Sequence, residues 1–277
     1  MIGLQKKLQM LKRDFYLGRQ INRHLGEQFL NDLSPQDIEG YMDKRRIEGV
    51  GNITIHHELN LLRHAFLLAF KQWDLIKQTP FEKVKLPSGD KKRVRYLAPD
   101  EEERLLNALQ EDERGWLLSV VIVARETGLR LSNICNLTWK QVDLVSRSIE
   151  IEKTKNGKPV WVPMSPSVHA ELVKLGKIRD LKSERVFLVN GKPINRNWVS
   201  NVFKKACLRA EVENFRFHDL RHDFCSRLIQ KGQSLHVVAE LAGHEDISTT
   251  QRYAHLSPEM KRKAIEASFG YNLAIVK

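Results

Sequence analysis

Cysteine is scarce in this sequence, and its three cysteines lie far apart. Cys135, Cys207 and Cys225 form neither a CxxC metal site nor a disulfide framework. Long apolar runs are also missing: the longest largely apolar stretch, 117–124, is far shorter than the ~20 residues of a membrane helix. The opening MIGLQKKLQMLKRDF has no signal-peptide pattern. We therefore expect a reduced, cytoplasmic protein with no membrane partner.

Acidic residues are too few to balance the basic ones. Lys and Arg number 46 against 34 Asp and Glu, which gives a formal net charge of +12. Such a surplus favours a polyanion, nucleic acid above all, as the partner. A basic surface that is only solvated is the alternative that composition leaves open. The 42% hydrophobic content is typical of folded domains, and 277 residues leave room for two of them.

Helical patterns fill the first part of the chain. Apolar residues at three- and four-residue spacing predict helices over residues 4–15 and 20–30. Ser34-Pro35 is a typical start for a third helix, and the pattern over 53–73 predicts a fourth. We therefore predict a helical N-terminal domain over residues 1–78.

The next stretch, residues 79–95, has the composition of an inter-domain linker. Pro80, Pro87 and Gly89 forbid a continuous helix there. Most of its charged residues are basic, so the linker is either solvated or lies on the phosphates of a nucleic acid. The candidate DNA-binding residues in it are Lys91, Lys92 and Arg93.

Helical and extended patterns alternate over residues 96–277, which we assign to a second domain with a C-terminal tail. Short β-type runs at 142–145, 148–152 and 160–162 predict a small antiparallel sheet. Asn156-Gly157 provides a hairpin turn between the last two runs. Helical patterns surround them, so the predicted fold class is mainly α with a small antiparallel β-sheet (α+β).

Reactive and charged side chains occur in apolar surroundings in three segments, TGLRLSNICNLTW, FRFHDLRHDFCSRL and ELAGHEDISTTQRYAHL. Arg130 in the first segment cannot lose its charge, so it needs an anion. That anion is either a phosphate or the carboxylate of a structural ion pair. Tyr253 in the third segment follows His244 by nine residues, and a single tyrosine is more often a core residue than a nucleophile.

The middle segment brings a histidine and an arginine onto one helix face. His218 and Arg221 are three residues apart and can both reach one phosphate. A capping histidine beside a surface arginine is the structural alternative. His218, Asp219 and His222 could instead bind a metal, but His-x3-His without a clear third ligand is a weak pattern.

Taken together, the three segments resemble the tyrosine recombinase (phage integrase) family over residues 96–269. The linked pattern is an arginine after TGL, the HDLRH box, LAGH and a tyrosine nine residues on. The resemblance implies a core-binding (SAM-like) domain and a catalytic domain that clamp DNA between them. It implies site-specific recombination through a 3′-phosphotyrosyl intermediate, without metal, ATP or another cofactor. The implied catalytic residues are Tyr253 as nucleophile, Arg130, Lys155, His218, Arg221 and His244.

The resemblance also implies a role for each of these side chains. The two arginines hold the phosphate, His218 accepts the phenolic proton or bonds to the phosphate, and His244 donates to a phosphate oxygen. Lys155, in the hairpin, protonates the departing 5′ oxygen. The sequence departs from the family at one position. The family usually has an acid three residues after the first arginine, and this sequence has Asn133 there. We expect activity at a reduced rate.

The implied partners are double-stranded DNA with inverted-repeat half-sites and a homotetramer on DNA. In that tetramer the C-terminal segment of each protomer docks on the next. The apolar run 273–276 could instead fold back on its own domain as an edge strand. The short N-terminal part favours a simple recombinase of a mobile element or a resolvase. A type IB topoisomerase remains an alternative, as does a DNA-binding protein with lost catalysis, to which Asn133 points.

Overall fold

The computed structural model covers most of the chain in two compact units, Met1–Lys92 and Arg93–Lys277. The described residues are 2–89, 94–112, 114–151, 159–256 and 265, with the main chain only for 2–10. No helix of these residues is long and apolar enough to cross a membrane.

Three long helices build the first unit: α1 (Ile2–Leu25), α2 (Pro35–Ile47) and α3 (Asn52–Lys71). The prediction of two separate helices before residue 30 is wrong, because α1 is continuous. Its sequence has no proline, and the single Gly18 is tolerated inside a long helix. Ser34 caps α2 as predicted, accepting the Asp37 N–H.

Part of the stretch expected as a linker packs on the first unit. Phe81 is buried, and its ring lies edge-on to Phe66 with the centroids 5.7 Å apart. Val84 and Leu86 pack against the same apolar cluster. Apolar side chains thus tie residues 80–86 to the helices. All three residues of this stretch that were predicted to bind DNA, Lys91, Lys92 and Arg93, lie outside the described residues.

The second unit contains most of the secondary structure. Its described helices are α4 (Pro99–Gln110), α5 (Trp116–Thr127), α6 (Leu131–Cys135), α7 (Pro166–Lys177), α8 (Arg196–Arg209), α9 (Asp219–Gln230), α10 (Leu235–Ala242) and α11 (Ser248–Gln251). Helix α5 is buried on most sides and packs against α7 and α9. The helix starts are set locally by N-cap side chains that accept a main-chain N–H, those of Ser165, Asn195 and Ser234.

Two small antiparallel sheets complete the second unit and confirm the predicted fold class. Strands β1 (Val142–Asp143), β2 (Ser148–Ile151) and β3 (Val160–Pro163) pair in the order β1-β2-β3. The hairpin turn predicted at 156–157 lies outside the described residues. The second sheet, β4 (Leu188–Val189) with β5 (Lys192–Pro193), was not predicted. Its sequence signal is an Asn-Gly pair in which both residues have positive φ.

Candidate active site

Two glycines end the helices that lead into the site. Gly128 follows α5 with φ +64°, and Gly243 follows α10 with φ +60°. A Cβ at Gly128 would lie 2.4 Å from Cδ1 of Phe224, and one at Gly243 would lie 2.8 Å from a side-chain carbon of β3. The backbone conformation and the close neighbours both favour glycine. The chain leaves the helix at these points and presents Arg130 and His244.

Arg221 on α9 is buried, with only 5% of its surface exposed. Its Nη1 donates to the carbonyl oxygen of Gly128 at 2.7 Å, which anchors the guanidinium. Its Nη2 is also buried and has no hydrogen-bond partner among the described residues. The interpretation of Arg221 as a surface arginine is therefore wrong. Its side chain is held by one nitrogen and leaves another for a ligand.

Tyr253 is buried in an apolar cluster with 1% of its surface exposed. The cluster is formed by side chains of α9 and α10, including Phe224, Cys225, Val238 and Ala242. The Tyr253 hydroxyl is hydrogen-bonded to Nδ1 of His222, and the two ring centroids are 5.9 Å apart. Burial and the neighbouring Cys225 raise the pKa of Tyr253 well above its ordinary value. The phenol is therefore held protonated.

His244 is half-buried, and its orientation is fixed by a hydroxyl. Its Nδ1 lies 2.7 Å from Oγ1 of Thr250, which is fully buried. Burial lowers the pKa of His244 to about 3, and the charges of Arg221, Arg130 and Arg252 act in the same direction. The ring is therefore neutral at pH 7.

His218 stands at the N-cap position of α9, but its side chain makes no capping hydrogen bond. Its ring lies edge-on to that of His222, with the centroids 5.1 Å apart. Desolvation and then the charge of Arg221 lower the pKa of His218. The interpretation of His218 as a capping histidine is therefore wrong.

Positive charge accumulates at this site, and no ion pair between described residues offsets it. Burial, and then the charge of Arg130, lower the pKa of Arg221 to about 10. Arg252 adds a third guanidinium, whose Nε is buried and makes no hydrogen bond to any residue that the structure describes. None of the ion pairs between described residues involves Arg130, Arg221 or Arg252. A structural ion pair for Arg130 is thus not present in this part of the chain.

The acids closest in sequence to Arg221 are engaged elsewhere. Asp219 accepts the main-chain N–H of Arg216 at 2.7 Å. Asp223 is fully buried and accepts the N–H of Leu97 at 2.9 Å and Nε of Arg227 at 2.7 Å. The bond between Asp223 and Leu97 holds the start of the second unit against α9. These contacts leave the arginines to bind an external anion.

A family profile described as the Phage integrase family matches residues 95–260, more than half of the chain. The chain is a tyrosine recombinase of the phage integrase family. The predicted family, enzyme class and recombinase function are thereby confirmed.

Relatives and solved structures agree with this assignment. The recombinase is 33% identical to the integrase of Salmonella phage P22 over 72% of its own chain. The match covers 53% of that integrase, so this chain spans about half of its length. It is 30% identical to a tyrosine recombinase of Thermosipho africanus over 91% of this chain and 87% of that protein. Its fold matches a lambda integrase tetramer bound to a Holliday junction with a TM-score of 0.73 and 21% identity, covering 88% and 71% of the two chains.

The structure brings most of the predicted site residues of this recombinase together and leaves one undescribed. The charges and rings of Arg130, His218, Arg221, His244 and Tyr253 act on one another across a single site. The predicted Lys155 falls in the sequence between β2 and β3 and lies outside the described residues.

Two residues of the site were missed by sequence reasoning. His222 was considered only as a weak metal ligand, and Arg252 was not considered. Both are sequence neighbours of predicted site residues, but adjacency alone does not say which way a side chain points. Among the described residues no group of three His, Cys, Asp or Glu side chains could hold a metal ion. The metal-site alternative thus finds no support in this part of the recombinase.

A cavity of about 1220 Å³ extends from the site along α8. Arg130 and His218 of the site line it, together with the exposed Arg196, Lys204 and Arg216 and the acids Glu211 and Glu213. The basic residues outnumber the two acids, so the surface beside the active site of the recombinase carries net positive charge. Asn133, the departure from the family pattern, donates its main-chain N–H to the carbonyl of Arg130 at 2.8 Å at the start of α6.

Proposed function

We propose that this recombinase cuts and rejoins DNA through a 3′-phosphotyrosyl link on Tyr253. The observation that carries this proposal is the group of guanidiniums without a carboxylate partner in the described chain, next to the tyrosine hydroxyl. A buried cation without an anion is costly, and a DNA phosphate would supply the missing charge.

Phosphodiesters resist nucleophiles because their negative charge repels them. Arg221 and Arg130 would hold the non-bridging oxygens and stabilise the additional charge of the transition state. Arg221 suits this role because the carbonyl of Gly128 fixes one nitrogen, so little reorganisation is needed on binding. His218 and His244 would complete the set of hydrogen bonds to the phosphate.

The number of phosphoester bonds stays the same in each step, because every bond that breaks is replaced by one that forms. The Tyr253 oxygen attacks phosphorus, the bond to the 5′ oxygen breaks, and Lys155 would give a proton to that oxygen. A 5′-hydroxyl of another strand then attacks the phosphotyrosine and releases Tyr253. Since no phosphoester energy is lost, the exchange requires no ATP.

A nicked suicide duplex tests this function, because loss of the short cleaved fragment traps the covalent adduct. We expect an adduct of protein and DNA that survives denaturing gel electrophoresis. Holliday-junction products from two intact sites would exclude a type IB topoisomerase. Specific binding without any adduct would instead mean a DNA-binding protein that has lost catalysis.

Cleavage should continue in excess EDTA, since the proposed chemistry uses arginine and lysine side chains where other phosphoryl-transfer sites use metal ions. The measurement is adduct yield with and without 10-fold molar excess of chelator over added Mg²⁺, with ionic strength held constant. A yield that collapses with EDTA and returns with Mg²⁺ would support a metal site at His218, Asp219 and His222.

We propose inverted-repeat half-sites as the DNA target and a tetramer on two duplexes as the active assembly. The lambda integrase tetramer on a Holliday junction supports this assembly by similarity of fold. The C-terminal segment, 271–277, would dock on the next protomer, which closes a ring.

Truncation after Gly270 should weaken recombination and cooperative two-site binding more than binding to one half-site. The expected reason is loss of the apolar run 273–276 from the neighbouring protomer. Mobility shifts on one and two half-sites measure both affinities. Unchanged recombination would mean that the tail is dispensable, and loss of single-site binding would mean that it packs on its own domain.

The linker residues Lys91, Lys92 and Arg93 are proposed to contact DNA phosphates. Replacing all three with alanine should reduce the slope of log affinity against log salt by about one unit per lost contact. Alanine at Lys174, Lys177 and Arg179, exposed residues at the end of α7, is the matched control for charge alone. Equal slopes for the linker variant and the unaltered protein would show that the linker is only solvated.

We propose that the reaction occurs in the cytoplasm on the DNA of a mobile element. The similarity to a phage-encoded integrase supports this setting. Inverted repeats beside the gene should then serve as substrate for the purified protein, whereas shuffled repeats should not.

A further inference from the structure

Tyr253 has a specific polar neighbour that neither the motif nor the family resemblance assigns to it. Its hydroxyl is hydrogen-bonded to Nδ1 of His222 on α9. His218, which the resemblance implies as acceptor of the phenolic proton, makes no hydrogen bond to Tyr253 within the described residues. The ring of His222 is close to both, with its centroid 5.1 Å from that of His218 and 5.9 Å from that of Tyr253.

The attacking oxygen needs a base at the moment of reaction. Burial raises the pKa of Tyr253, so the phenolate does not form by itself near neutral pH. A proton acceptor must then be within hydrogen-bond reach of the hydroxyl before attack begins. In the described structure the imidazole that meets this requirement is that of His222.

We propose that His222 is the catalytic base that takes the phenolic proton of Tyr253. This assignment rests on the proposed function, in which Tyr253 is the nucleophile. As the bond from the tyrosine oxygen to phosphorus forms, the proton moves to Nδ1 of His222 and the bond from phosphorus to the 5′ oxygen breaks. The leaving oxygen takes its proton from Lys155. In the rejoining step the attacking 5′-hydroxyl gives its proton to Lys155 as its oxygen bonds to phosphorus, and His222 returns its proton to the leaving oxygen of Tyr253, so the cycle balances.

Proton transfer to His222 would be favoured once DNA is bound. A bound phosphate brings negative charge next to the site, and negative charge stabilises a protonated imidazole. His218 is then available for the phosphate, beside Arg130. Among the described residues, the titratable groups that contact or act on His222 include His218 on its own helix, Tyr253, and His244 after α10. Arg221, Arg252 and Cys225 act on Tyr253, to which His222 is hydrogen-bonded.

Single-turnover adduct formation on a saturating nicked suicide duplex tests the assignment with two substitutions. His222→Asn places an amide near the position of Nδ1 and keeps a hydrogen-bonding group, but it cannot take up a proton. His222→Ala removes both properties. We expect both variants to form the adduct at least ~100-fold more slowly than the unaltered protein, with DNA affinity within about threefold. His236→Asn, at an exposed histidine of α10, is the matched control and should keep the full rate.

A modified substrate separates base from acid. In DNA with a sulfur in place of the bridging 5′ oxygen, the leaving thiolate needs no proton. This substrate should restore the rate of Lys155→Ala but leave His222→Asn slow. Raising the pH to 10 should narrow the difference in rate between His222→Asn and the unaltered protein, because the small phenolate fraction of Tyr253 rises about tenfold per pH unit and does not need the base.

Three results would overturn the assignment. A rate for His222→Asn within threefold of the unaltered protein would reduce His222 to a positioning residue. Rescue of His222→Asn by the sulfur substrate would make it a leaving-group acid. If the difference in adduct-formation rate between His222→Asn and the unaltered protein does not narrow by pH 10, loss of a proton acceptor is not the reason that the variant is slow.

Failure of the proposed function looks different, since the unaltered protein would then form no adduct, or Tyr253→Phe would still form one. Melting temperatures of His222→Asn, His222→Ala and His222→Gln that match the unaltered protein show that a slow variant is folded.

Discussion

Replacing Tyr253 with phenylalanine should abolish covalent adducts with DNA while leaving DNA affinity within about twofold. The substitution removes only the hydroxyl, and the ring keeps its place in the apolar cluster with Phe224 and Val238. The hydrogen bonds of the hydroxyl to His222 and to the Cys225 thiol are lost, which together cost about 1–2 kcal/mol of the free energy of unfolding. Binding depends on the arginines and the basic cavity, so it remains.

The measurement is adduct yield on the nicked suicide duplex beside a mobility shift on the intact site. Tyr271→Phe is the matched control and should form the adduct normally. An adduct that persists in Tyr253→Phe and disappears in Tyr271→Phe would move the nucleophile to the C-terminal segment.

Replacing Arg221 with methionine should lower the cleavage rate by about 10²–10³-fold or more while stabilising the fold. The rate falls because the guanidinium donates to charge that grows in the transition state, and one such donor has an effect of this size. Arg221→Lys should fare little better, since one ammonium cannot bond to the Gly128 carbonyl and grip a phosphate in a forked geometry.

Stability should move in the opposite direction. Arg221 is buried with an unpartnered nitrogen, so an apolar side chain of similar length removes a desolvation cost. We expect the free energy of unfolding to rise by about 1 kcal/mol, even after the loss of the hydrogen bond to Gly128. Denaturant unfolding of the free protein measures this difference.

Arg227 provides the control on the same helix. Its Nε donates to the buried Asp223 at 2.7 Å, and its Nη2 pairs with Glu102. Arg227→Met should therefore lower the free energy of unfolding, since it removes a partner of the buried Asp223. The loss should be about 2 kcal/mol, less than for a fully buried ion pair, because Arg227 is partly exposed. Its cleavage rate at 25 °C should stay within a few fold. If Arg221→Met destabilised the protein as Arg227→Met does, Arg221 would be structural.

Much of the fold was predictable because its signals are local. Proline or a capping side chain starts α2, α7, α8 and α10, and glycine in the left-handed conformation ends α5 and α10. The prediction failed where a signal was weak or overlooked. Gly18 alone did not divide α1, and the Asn-Gly turn between β4 and β5 was passed over.

The sequence by itself determined the family and the identity of the residues that meet at the site, because residue spacing and helix ends are properties of the chain. Only the tertiary structure decided how those residues are used. Nothing in the order HDLRHD says that Asp219 and Asp223 bond elsewhere while Arg221 keeps a free nitrogen. Nor does it say that Tyr253 meets His222 rather than His218. Those outcomes depend on how α9 packs against its neighbours, since packing decides which polar atoms are satisfied within the protein and which are left for DNA.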